Sequence, residues 1–91
     1  MNGKHLGANK MDRQYNVSNI DFSGEWMIIS VNGETYQISI AQASEKLAKA
    51  THIERKMYRI SPSGYGIHWY AIDEDLTTQG LIKLAAIAQT A

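Results

Sequence analysis

Residues 25–40 read EWMIISVNGETYQISI, and the architecture of the chain turns on the Asn-Gly pair in the middle. Asn32 and Gly33 separate two runs rich in β-branched and aromatic residues. A two-residue hairpin turn needs positive φ at both central positions, which asparagine and glycine tolerate best. Such a turn sets the register, so Val31 must face Glu34, Ile29 must face Tyr36 and Met27 must face Ile38. Alternation then gathers Met27, Ile29, Val31, Tyr36 and Ile38 on one face, which we read as the core face. Trp26, Ile28, Ser30, Thr35, Gln37 and Ser39 share the other. Trp26 and Ile28 are out of place there, because the solvated face of an antiparallel sheet is polar.

Outward from this hairpin the pattern is equally compact. YNVSNIDF, residues 15–22, is an expected strand, and SGE turns the chain into the hairpin. AQASEKLAKA, residues 41–50, is a short helix of good formers, with Ala43, Leu47 and Ala50 at helical spacing. THIERK either prolongs that helix or leaves it as a loop. MYRIS, 57–61, and GIHWYAI, 66–72, are two further strands joined through Pro62, Ser63 and Gly64. Residues 77–89 form a final helix, capped by Thr77, with Asp73, Glu74 and Asp75 placed where the helix dipole favours negative charge. The expected class is α+β: a small antiparallel sheet in the order β-β-β-α-β-β-α, helices on one face.

Ninety-one residues make one small domain, able to bury roughly 60–65% of its unfolded surface. We place it at residues 14–91 and read residues 1–13, MNGKHLGANKMDR, as a disordered arm. Nine basic and nine acidic residues cancel, so no global field favours nucleic acid or an anionic membrane. Cysteine is absent, which removes disulfides, thiolate metal sites and cysteine nucleophiles, and fits a cytoplasmic protein. No apolar run approaches the ~20 residues of a membrane span.

The most specified stretch is GYGIHWYAIDEDL, residues 64–76. With its flanks, LAKATHIERKMYRISPSGYGIHWYAIDEDLTTQGLI (47–82), it resembles the carboxyl half of the domain of unknown function 2442 family. GYGIHW followed by DEDL carries the resemblance, and the strands from Tyr15 onward fit more loosely. The family commonly has proline after the tryptophan, where this chain has Tyr70. Proline would remove a ladder donor, whereas tyrosine restores it and adds an aromatic surface. The resemblance implies a fold and a small bacterial or phage accessory protein, antitoxin-like or inhibitor-like. Some members carry an added helix-turn-helix, which is not expected in a sequence ending at Ala91.

The chemistry-bearing residues divide into three groups. The acids at 73–75 are accounted for by the helix start, and no second acid cluster or calcium loop accompanies them. His68 is a candidate ligand or base, because an imidazole nitrogen can bind a metal or accept a proton. However, His5 and His52 stand at no ligand spacing with it, and only the nearby Asp73 offers an orienting partner; a metal-dependent enzyme using His68 with Asp73 or Asp75 is the weakest alternative. We expect a structural histidine, no catalytic residues, no metal and no cofactor. Lys46, Lys49, Arg55, Lys56 and Arg59 cluster with Tyr58 among them, the pattern of a nucleic-acid-binding regulator; Glu45 and Glu54 dilute it.

The apolar surplus points elsewhere. If Tyr58, Ile60, Ile67 and Trp69 join the core, then Met57, Arg59, His68 and Tyr70 lie on the face that also holds Trp26 and Ile28. Aromatics, methionine and arginine are enriched at protein interfaces. LIKLAAIA, 81–88, is apolar nearly all round, so it is buried on several sides or meets a partner. The expected function is therefore a non-enzymatic protein-binding module whose interface includes Trp26, Ile28, Arg59, His68 and Tyr70. Its partner is another protein or a second copy in a homodimer.

Overall fold

The computed structural model describes residues 14–90, with side chains as far as residue 86; the arm expected over residues 1–13 and the far end of the LIKLAAIA face lie outside these. The elements in chain order are β1 (Val17–Ser23), β2 (Trp26–Val31), β3 (Glu34–Ser39), α1 (Ile40–Ala43), α2 (Glu45–Lys49) and α3 (His52–Arg55). Then come β4 (Tyr58–Ile60), β5 (Gly66–Trp69), β6 (Glu74–Thr77) and α4 (Thr78–Thr90). The class is α+β, and the order matches the reading from sequence with one strand added. The strands form two antiparallel sheets of three, β1-β2-β3 and β4-β5-β6.

The hairpin is paired as its turn requires. Val31 faces Glu34, Ile29 faces Tyr36 and Met27 faces Ile38. Asn32 and Gly33 have φ of 52° and 85°. β1 adds Ile20 opposite Ile29 and Phe22 opposite Met27, so both reinforce the core face. Met27, Ile29, Val31 and Ile38 are buried, Tyr36 half-buried. In the second sheet Ile67 and Trp69 are buried, while Tyr58, Ile60 and Leu76 are half-buried against them. Leu47 of α2 and Leu81 and Ala85 of α4 complete one continuous core, with α4 packed against β3 and β6.

The helical segment after β3 is three short pieces because serine and threonine interrupt it. Ser44 adopts an extended backbone, with φ −165° and ψ 119°, and its hydroxyl accepts from Leu47 N–H at 3.0 Å. The same hydroxyl donates to Glu74 of β6. Thr51 starts α3 with a reciprocal cap: its hydroxyl accepts from Glu54 N–H, and Glu54 carboxylate accepts from Thr51 N–H. Ser44→Ala removes a helix cap and leaves Glu74 short of a donor inside the fold. A loss of about 1–2 kcal/mol is expected from urea unfolding; an unchanged midpoint would show that the cap contributes nothing.

The acids before α4 do not cap it. Asp73 occupies the β5–β6 turn with φ 52°, and Glu74 and Asp75 lie in β6 itself. Pairing with β5 holds these residues extended, whatever their low strand propensity. The capping role falls to Thr77 alone, whose hydroxyl accepts from Gly80 N–H at 3.0 Å.

Candidate functional site

β5 is the middle strand of its sheet, so its outward side chains stand between those of β4 and β6. Register places Arg59, His68 and Asp75 side by side across the three strands. Neighbouring strands are ~4.8 Å apart, close enough for these side chains to pair. The His68 ring donates from Nδ1 to Asp75 Oδ1 at 2.7 Å. An ionised carboxylate accepts only, so in the neutral ring Nε2 is left as an acceptor facing outward. Among the described residues nothing bonds to Nε2. The geometry orients an imidazole but assembles no nucleophile around it.

Arg59 lies over the ring of Tyr70, its guanidinium 5.7 Å from the ring centre. Tyr70 follows the end of β5, and its N–H donates to Met57 carbonyl at 3.2 Å. The tyrosine thus supplies the ladder donor that proline would lack, and its ring remains 50% exposed. Next to the Arg59–His68–Asp75 row, the outer face sinks into a depression of about 340 Å³ over Gly66. Ser61 and Thr77 flank the glycine across the neighbouring strands.

Trp26 and Ile28 belong to the other sheet. Trp26 stands between Ser23 and Ser39, and Ile28 between Asp21 and Gln37. The indole is 43% exposed and Ile28 half-buried. The structure therefore brings Arg59, His68 and Tyr70 into one cluster and leaves Trp26 and Ile28 as a patch of the first sheet.

The basic run is drawn into the fold at several points. Arg55 donates from Nε to Leu47 carbonyl at 3.0 Å and from Nη2 to Ala48 carbonyl at 3.2 Å, while lying over the Phe22 ring. Lys46 donates to Asp73 carbonyl at 2.9 Å, and Lys49 pairs with Glu45 at 3.8 Å. Lys56 is exposed, and Arg59 belongs to the second sheet's outer face. Among the described residues no group of three or more His, Cys, Asp or Glu side chains is placed to hold a metal ion. No described helix is long and apolar enough to cross a membrane.

The sequence reading missed the depression, with Ser61, Gly66 and Thr77, because β6 was not read as a strand. The signal was present in the two-residue step from His68 to Gly66, which puts both on one face. A family model described as "Protein of unknown function (DUF2442)" matches residues 17–86. No curated protein and no solved structure matches the chain.

Proposed function

Because the chain belongs to DUF2442, a family of unknown function, we propose its role from its own surface: a small, non-enzymatic protein-binding module, antitoxin-like or inhibitor-like, acting in the cytoplasm. The observation that carries this reading is the half-exposed Tyr70 ring beneath Arg59, beside the His68–Asp75 pair. A large side chain left in water forgoes roughly 1.5–3 kcal/mol of burial. Trp26 on the first sheet adds a second aromatic left in solvent. Arginine, tyrosine and tryptophan are the residues that anchor interfaces.

The test combines light scattering with affinity capture, comparing the native chain with a Trp26→Ala, Tyr70→Ala double variant. A specific partner or a dimer lost in the double variant supports the reading. A strict monomer that captures nothing, or capture that the double variant retains in full, overturns it. Tyr70→Ala alone should cost only about 0.5–1 kcal/mol of stability, the worth of an exposed cation–π contact, while weakening capture markedly. A stability loss of several kcal/mol would mean that Tyr70 serves the core.

A further inference from the structure

We propose that the depression over Gly66 is a docking site for an extended partner peptide that presents an apolar side chain and a carboxylate separated by one residue. The inference rests on the protein-binding reading and names the chemistry that the partner must carry. Gly66 is the starting point. It lies inside β5, where glycine costs roughly 0.5–1 kcal/mol relative to alanine. Its φ is not positive, and among the described residues an added Cβ would meet only Leu76 carbonyl oxygen, at an ordinary 3.5 Å. Neither the backbone nor the packing requires a glycine here. Its missing side chain instead opens the outer face of the sheet, and glycine within a strand often marks the approach of a ligand or another backbone.

The lining sets the chemistry of the occupant. Pro62 and Gly66 line the depression, and beneath them runs the backbone of Ile60, Ile67 and Leu76, whose side chains turn to the core; the exposed lining is mostly carbon, which suits an apolar group. The volume, about 340 Å³, is near the lower end of ligand cavities, ~300–1,000 Å³, and gives room for one or two side chains. Charge at the rim is unbalanced in one place. Asp75 is already met by His68, whereas Arg59 has the Tyr70 ring and, among the described residues, no carboxylate partner. A guanidinium offers a fork of donors matched to a carboxylate. Arg59 lies one two-residue step before Ser61, ~6.7 Å, so two side chains of an extended peptide that are separated by one residue, and therefore share a face, reach both features.

The probes are three blocked tripeptides, N-acetylated and C-amidated: leucyl-glycyl-aspartate, leucyl-glycyl-asparagine and glycyl-glycyl-aspartate. Each is titrated to millimolar concentration into isotope-labelled protein and followed by amide resonances. Leucyl-glycyl-aspartate should shift the Gly66 and Thr77 amides, leucyl-glycyl-asparagine should bind at least several-fold more weakly, and glycyl-glycyl-aspartate should not bind. Gly66→Val puts a β-branched side chain, favoured in strands, into the depression and should abolish the shifts at Thr77. Arg59→Gln should erase the preference for aspartate over asparagine. The proposal is overturned if Gly66 does not respond, if Gly66→Val binds as the native chain does, or if the native chain shows no preference for aspartate. Equal binding of 4-methylvalerate would replace the peptide by a small free acid. Self-association abolished by Gly66→Val would replace it by a second copy of the chain. Failure of the tripeptides alongside capture that still depends on Trp26 and Tyr70 discards this site alone and leaves the broader reading standing.

Discussion

Gly64→Ala is expected to lower the unfolding free energy by roughly 3–5 kcal/mol, the sum of backbone strain, steric displacement and a disturbed hydrogen bond. Gly64 has φ +76°, and a Cβ built there falls 1.6 Å from the Tyr15 carbonyl oxygen. No rotamer relieves that overlap, because the obstructing atom belongs to the backbone. Tyr15 would have to retreat, yet its N–H is bonded to Ser63 carbonyl at 2.9 Å. On the other side, Gly64 carbonyl accepts from the hydroxyl of the fully buried Thr78. The glycine is therefore the point at which the segment before β1, the β4–β5 turn and the start of α4 are joined. Gly33→Ala is the control, since Gly33 has φ +85° and, among the described residues, nothing lies within 4 Å of the added atom. It should cost about 1–2 kcal/mol, the strain alone. At ~4–8 °C per kcal/mol for a domain of this size, the two melting temperatures should differ by roughly ten degrees or more. Equal melting temperatures would show that Tyr15 yields freely and that the junction is not rigid.

Trp69→Ala should cost about 3–5 kcal/mol as well, through a different mechanism. The Trp69 ring is fully buried, and Tyr58 lies against it with ring centres 5.9 Å apart. Its Nε1–H donates to Arg55 carbonyl at 3.0 Å, tying the end of α3 to the second sheet. Truncation leaves a cavity and an unpartnered carbonyl together. Trp69→Phe separates the two contributions: it keeps most of the apolar ring, loses the donor, and should cost less than the alanine variant. Urea unfolding of the two variants beside Tyr70→Ala tests the assignment of adjacent residues to opposite faces. A Trp69→Ala loss as small as that of Tyr70→Ala would place the indole outside the core.

The hairpin was legible because every interaction that specifies it joins residues close in sequence. Asn32 and Gly33 supply the turn dihedrals, and the pleat does the rest. The cap that starts α3 was legible in the same way: Thr51 followed by Glu54 is the capping-box spacing, although the reading left this segment undecided. Ser44 was harder. Serine inside a run of helix formers is ordinary, and only its bond to Glu74, thirty residues on, explains why the helix breaks there.

The site was half legible. Alternation alone put His68 and Arg59 on the face opposite Trp69, and the departure from proline drew attention to Tyr70. The pairing of His68 with Asp75 and the depression over Gly66 were not legible, because both depend on β6. Four residues with two acids and one apolar side chain carry little strand signal of their own. They are extended because β5 offers them hydrogen-bond partners.

By itself the sequence determined the class, the order of the elements apart from β6 and the breaks in the helical segment, the hairpin register and the core faces, since these follow from local dihedral preferences and from periods of two and 3.6 along the chain. Tertiary structure alone decided the division into two sheets, the use of the acids in a strand, the separation of Trp26 from Tyr70, and the reason Gly64 must lack a side chain. Each of these is a contact between segments distant along the chain, and such contacts exist only once the chain has closed on itself.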